Sequence, residues 1–382
     1  MKQPEASRTW IEIDLGAIEK NAAVLKALVG ASANVMAVVK SNAYGHGMVE
    51  SARAALRGGA TWLGVDELSE ALELRKARIK APILVLGYTL PTLYKTAAEK
   101  DVSLTISSLE SLQALSRAKL PKAKANMLRI HVKFDTGLHR QGILETYVQQ
   151  AVRLLTAKGF PAVVEGVYTH FAAMEDPMHR EYSEAQARSF RAIVAKIREK
   201  GLKPITHSSA SSGILFSKDF HFDMARAGIA LYGLWPSREI KKWAESVGGE
   251  AYVPKLAPAL SWKAIVSEVK LIPKGAKVGY DLTFEAKRPS RIAVIPVGYW
   301  HGLPRSLSNK GQVAIRGARA SIIGRISMDM TILDVTDIPS VREGDEATII
   351  GAGMGVEQVA ERAGTINYEL VTRINPLIPR IS

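Results

Sequence analysis

The chain has 382 residues, a formal net charge of +14 and no cysteine. That length allows two or three domains with sizeable cores, and the absence of cysteine excludes disulfides and thiolate metal sites and fits a reducing, cytoplasmic compartment. No apolar run approaches the roughly 20 residues of a membrane span, and Met1–Trp10 lacks the apolar core of a secretory signal. The basic residues are interleaved with acids, most densely from Arg191 to Lys203, rather than gathered into an arginine-rich block. Neither a membrane nor a nucleic acid is therefore expected as a partner.

In chain order, Arg8–Leu15 begins as a short alternating strand, and Asp14 is placed to cap a helix over Leu15–Val29 whose Ile18, Ala22, Leu25 and Val29 share one face. Strand-like segments then recur at Asn34–Val39, Trp62–Val65, Pro82–Leu86, Val102–Ile106, Leu128–Phe134, Val163–Thr169, Pro204–His207 and Gly228–Tyr232. Helical patterns fall between them, at Asp66–Ala77, Ser108–Lys119, Leu144–Lys158 and Glu181–Lys200. Eight strands alternating with helices over such a length predict an α/β fold of the closed (β/α)8 barrel type. An open doubly wound sheet would carry a glycine-rich dinucleotide turn after a strand, and none is present. Pro236–Glu250 reads as a linker or surface loop. Beyond it strands predominate: Ala259–Ile272, Arg291–Val297, Gln312–Ile315, Ser321–Ile326, Thr331–Val335 and Ala347–Ile350, with late helices from Val356 and near Ile366. The expected division is a barrel over 1–240 and a mainly-β C-terminal domain over 241–382.

In such a barrel, functional side chains sit at the C-terminal ends of the strands. Lys40 ends the apolar run Val35–Val39 and is followed by Ser41-Asn42-Ala43-Tyr44-Gly45-His46-Gly47, where short residues and glycines turn the backbone at once. A lysine at the edge of a low-dielectric interior is more readily neutral, and a neutral amine is what a Schiff base with an aldehyde requires. Taken alone, a strand-end lysine simply snorkels to solvent. Other strand ends, however, carry Lys133-Phe-Asp-Thr-Gly-Leu-His-Arg140, Tyr168-Thr-His170 and His207-Ser-Ser-Ala-Ser211-Ser-Gly213, and Arg226-Ala-Gly-Ile229 leads into the expected eighth strand. Singly, His170 reads as a satisfied core histidine, Ser211 as a helix cap and Arg140 as a surface ion pair with Lys133 its solvated neighbour. Their recurrence at successive strand ends marks one site. No His/Asp/Glu spacing supports a metal.

Val39-Lys-Ser-Asn-Ala-Tyr-Gly-His-Gly47 and Arg226–Gly233, with Trp10-Ile-Glu-Ile-Asp-Leu15 and Ile366-Asn-Tyr368-Glu369, resemble the alanine racemase family, and the resemblance spans nearly the whole chain. It implies a homodimeric enzyme that uses pyridoxal 5'-phosphate to interconvert L- and D-alanine, supplying D-alanine for peptidoglycan. Lys40 would carry the cofactor and serve one face of the substrate. Tyr280, in Lys277-Val-Gly-Tyr280-Asp281, would serve the other from the partner chain. Cofactor contacts are implied for Tyr44, His170, Ser211, Arg226, Gly228, Ile229 and Tyr368. Arg226 would face the ring nitrogen and, by staying protonated, make the ring a weaker electron sink. Arg140 and the backbone at Met328 would meet the substrate carboxylate. Lys133 matches a lysine often carbamylated in the family. Tyr299, Arg305, Arg325 and Tyr368 would line the mouth of the substrate channel.

Two departures stand out. Gly298-Tyr299-Trp300-His301-Gly302 replaces the usual Gly-Tyr-Ala-Asp-Gly, and Ala210 stands where Asn is common. Trp300 and His301 keep open a rival reading, a racemase of serine or of broader scope. A decarboxylase on the same barrel is disfavoured, because its paired features are not found beside Tyr280 in this chain. A non-catalytic pyridoxal-phosphate carrier would resemble the barrel alone, so the β domain from about Tyr252 argues against it.

Overall fold

The computed structural model describes residues 7–120, 127–248 and 253–382, which form two units. In the first, Asn34–Val38, Trp62–Val65, Ile83–Val85, Ser103–Ile106, Leu128–Asp135, Ala162–Tyr168, Ile205–His207 and Met224–Ala227 pair in that order, all in parallel. The last strand pairs with the first, Met224 opposite Asn34, so the barrel is closed. Strands covered by helices outside and packed within read as unbroken apolar runs, and Val35–Val38 is buried throughout. The helix Leu15–Val29 buries Ile18, Ala22, Leu25 and Val29, the face its periodicity predicts.

Two barrel expectations are corrected. Gly228–Tyr232 is not the eighth strand: Ile229–Tyr232 is a 3-10 turn, and the strand is Met224–Ala227, which places Arg226 within it. The apolar stretch Ile229–Tyr232 is buried as a turn, which hydrophobicity alone cannot tell from a strand. Nor is Pro236–Glu250 a loop, since Arg238–Gly248 is a helix. Its Ile240 and Ala244 are buried, and Trp243 packs on Phe216 with ring centroids 4.5 Å apart. That i, i+3, i+4 apolar stripe is narrow and set among charges, so it carries a weak helical signal.

The second unit comprises the residues up to Leu15, Tyr44–Gly47 and Pro258 onward. The barrel unit runs on to Ala257 and includes the Arg238–Gly248 helix. The sheet of the second unit runs Glu268–Ile272, Ser290–Ile295, Thr331–Asp334, Ala318–Ile322, Gln312–Ile315, Glu346–Ile350, Leu260–Ile265, Thr9–Ile13, Arg380–Ile381. Only the last pair is parallel. Because Thr9–Ile13 lies between two strands, every one of its residues is buried, although its sequence alternates. The expected strand Ala259–Ile272 is two strands, broken at Val266-Ser267, and Ser321–Ile326 is displaced to Ala318–Ile322. The helices Val356–Ala363 and Asn367–Thr372 lie where expected.

Inside the barrel, His131 is accommodated by Gly166, because a Cβ there would stand 2.2 Å from the His131 Nδ1. Overpacking a filled core costs about 1–3 kcal/mol. Gly166→Ala is therefore expected to lower unfolding free energy by that amount or more in chemical denaturation, with a smaller loss when paired with His131→Ala.

Candidate active site

Lys40 is separated from the first barrel strand by Val39 alone, and its Nζ donates to Asp66 Oδ1 at 2.8 Å, from the loop after the second strand. Both side chains are more than a third exposed, so the pair contributes little to stability. The backbone after Lys40 turns in an unusual way. Ser41, Asn42, Ala43 and Tyr44 all have φ of 53–54°, a turn of left-handed helix closed by Ala43 N–H to Val39 C=O at 2.8 Å. Left-handed helix costs about 1–2 kcal/mol per non-glycine residue, so four cost roughly 4–8 kcal/mol. Surrounding bonds hold it: Asn42 Oδ1 accepts from Met48 N–H at 3.0 Å, and Glu70 Oε1 accepts from Ser41 N–H at 2.5 Å. The turn ends the strand abruptly at Lys40, as its short residues imply.

Arg226 is 3% exposed. Its guanidinium donates to His207 Nδ1 at 2.8 Å, His170 Nδ1 at 3.0 Å, Thr169 C=O at 3.0 Å and Ser208 C=O at 2.7 Å. Burial lowers its pKa to about 10, so it stays cationic at neutral pH. Burial, then Arg226, holds His170 and His207 well below the ordinary histidine range. Both rings are therefore neutral and free to accept through Nδ1. His207 must carry its proton on Nε2, which lies 2.9 Å from His131 Nδ1. His131 Nε2 in turn faces the partly exposed Glu165 Oε2 at 3.4 Å. Tyr168 stacks on His207 at 4.5 Å, with the Arg226 guanidinium 5.1 Å and Lys133 Nζ 5.5 Å from its ring centroid.

Lys133 donates to Gln141 Oε1 at 3.3 Å, and its pKa is lowered to about 8 by burial and then by Arg226 and Arg140. Arg140 is exposed, at the end of a loop pinned by Asp135, whose Oδ1 accepts from the N–H groups of Gly137, Leu138 and His139 at 2.9–3.1 Å. Ser211 Oγ accepts from Gly228 N–H at 3.0 Å and Ala230 N–H at 3.2 Å, which joins the turns after the seventh and eighth strands. The nearby Ser208 and Ser209 hydroxyls are both committed to Phe220 C=O.

The remaining candidates lie in the β unit. Tyr44 and Tyr368 rings stand 6.3 Å apart. Tyr280, on the short 3-10 turn Tyr280–Leu282, is 69% exposed, and the next residue, Asp281, pairs with Arg325 at 2.6 Å. Tyr299 N–H and Trp300 N–H donate to Ser327 C=O and Met328 C=O, while Arg305 is exposed on its own 3-10 turn. His301 is buried: its Nδ1 accepts from Gly298 N–H at 3.2 Å, so this departure from the family pattern serves as a loop cap. Sequence reasoning missed Asp66, Glu70, His131, Asp135 and Glu165. Asp66 follows a barrel strand and was open to the strand-end rule. The others act through backbone amides or ring nitrogens, which no spacing announces.

A closed (β/α)8 barrel that carries a lysine just past one strand and a buried arginine in the neighbouring strand has the architecture of the barrel enzymes. Residues 13–236 match the family described as alanine racemase, N-terminal domain, and residues 259–382 the alanine racemase, C-terminal domain. The alanine racemase of Desulfosudis oleivorans is 39% identical over 97% of this chain and 96% of its own length, and that of Methanococcus maripaludis 39% over 97% and 98%. The crystal structure of the Bacillus anthracis alanine racemase with bound L-Ala-P superposes with a TM-score of 0.88 at 36% identity, covering 99% of this chain and 96% of that one. The chain belongs to the alanine racemase family.

The lowered pKa of Lys133 makes a pH prediction. Between about 8 and the ordinary lysine value of 10.5, the unfolded chain binds the extra proton. Stability should therefore rise with pH across that window. Urea titrations of Lys133→Met should lack this rise while keeping the remaining pH dependence.

Proposed function

We propose that the protein is a pyridoxal-phosphate-dependent alanine racemase, active as a homodimer with each site shared between two copies. The observation that carries this reading is Lys40, an amine delivered to a barrel strand end and surrounded by donors for an anionic, ring-bearing ligand. The donor chemistry fits pyridoxal phosphate. The Ser211 hydroxyl with the turn Gly228-Ile229 suits its phosphate, Arg226 its ring nitrogen, and His170 braces Arg226. When bound, the cofactor supplies an aldehyde that captures amines and a ring that delocalises the electron pair left when a Cα proton departs.

The chain's residues do the rest. Arg226 stays a hydrogen-bond donor because its neighbours are neutral acceptors, so it does not hand the ring a proton. The Lys40 amine would hold and move a proton on one face of Cα. Tyr280 from the second copy moves one on the other face. Its 69% exposure, alongside exposed Leu282, Trp300, Met328 and Met330, suits a surface that a second copy covers. Arg140 and Met328 N–H hold the carboxylate, and Tyr44, Tyr368, Tyr299, Arg305 and Arg325 narrow the approach, favouring a small side chain. Lys133, largely buried and neutral above about pH 8, is suited to add carbon dioxide with loss of a proton. The resulting carbamate anion would orient Arg140.

D-alanine for peptidoglycan is the physiological product this reading implies, made in the cytoplasm, and no described helix is long and apolar enough to cross a membrane.

Borohydride reduction of the cofactor-loaded protein, followed by peptide mass mapping, should place the phosphopyridoxyl group on Lys40. A label confined to other lysines contradicts the assignment. Tyr280→Phe should slow racemisation by about 10²–10⁴, the usual worth of a general acid–base group, while one enantiomer still exchanges its Cα proton. Equal loss of exchange from both enantiomers would remove Tyr280 from its role.

A further inference from the structure

Glu70 lies in the first turn of the helix Leu68–Lys76, where a glutamate commonly reaches back to cap its own helix. One oxygen does so: Oε2 accepts from Asp66 N–H at 2.7 Å and Glu67 N–H at 3.4 Å. The other leaves the helix altogether, since Oε1 accepts from Ser41 N–H at 2.5 Å, 29 residues away in sequence. A single carboxylate therefore ties the residue after Lys40 to Asp66, the acid that Lys40 itself contacts at 2.8 Å. The tie falls on the first N–H of the left-handed turn, ahead of the turn's own bond from Ala43 N–H to Val39 C=O.

We infer that Glu70 is a positioning residue for Lys40: it clamps the loops after the first two barrel strands so that the strained turn presents the lysine amine in one place. This deepens the proposed function and rests on Lys40 being the cofactor-bearing lysine. The geometry requires both oxygens. Glutamine keeps one acceptor and sets an NH2 group against an N–H, alanine keeps neither, and aspartate is one methylene short of spanning the two loops.

The test is the rate at which pyridoxal phosphate, trapped with borohydride, labels Lys40 in cofactor-free protein, read by peptide mass against exposed lysines of the same chain. Amide hydrogen exchange over residues 40–47 and the melting temperature are measured alongside. Glu70→Ala should slow Lys40 labelling about tenfold relative to those lysines and speed exchange over 40–47. Glu70→Gln should fall between alanine and wild type, with melting within a few degrees. Lys40 labelled at the wild-type rate in Glu70→Ala would overturn the inference. So would slowing matched by faster exchange throughout the barrel helices in both variants, which would mark Glu70 as a fold residue only. Wild-type protein that takes no label at Lys40 would overturn the underlying reading, and this inference with it.

Discussion

Burying the Arg226 guanidinium inside the barrel constrains everything near it. A cation 3% exposed must spend its donors on protein acceptors, and here two of those acceptors are imidazoles. They can accept only while neutral, and the arginine's own field, with burial, keeps them so. The same field depresses Lys133, and Arg140 adds to it. The barrel end is thus a fixed set of one buried cation and the neutral groups it holds in place.

Against that fixed side stands a strained one. The left-handed turn after Lys40 stores conformational energy that neighbouring bonds must offset, chiefly those from Asn42 and Glu70. Strain of this kind is kept where the surroundings determine the backbone, and it commonly marks a functional site. A right-handed continuation would carry the chain off in another direction at Lys40. The rigid arginine cluster and the strained lysine turn are carried on neighbouring elements, since the strand bearing Arg226 pairs with the strand that leads to Lys40.

The barrel was legible because parallel strands buried on both faces leave unbroken apolar runs, and because polar residues at strand ends have little structural reason to be there. Lys40, Lys133, Arg140, His170 and Ser211 were singled out in that way. Legibility failed where burial does not imply a strand, as at Ile229–Tyr232, and where a narrow apolar stripe hides among charges, as at Ile240–Ala244. The first strand, Thr9–Ile13, was legible as a strand, but its partner some 250 residues on was not, a pairing no local pattern reveals. The supporting shell, Asp66, Glu70, Asp135 and Glu165, consists of ordinary acids whose importance lies in the backbone amides and rings they meet.

The most direct test of the account follows L-alanine by NMR in D2O with the cofactor-loaded protein, then separates the enantiomers, with L-serine run in parallel. Deuterium should enter Cα together with accumulation of D-alanine, and alanine should exchange faster than serine. Alanine that keeps its Cα proton and its configuration would contradict that expectation. Serine exchanging faster would retain the chemistry and overturn the substrate.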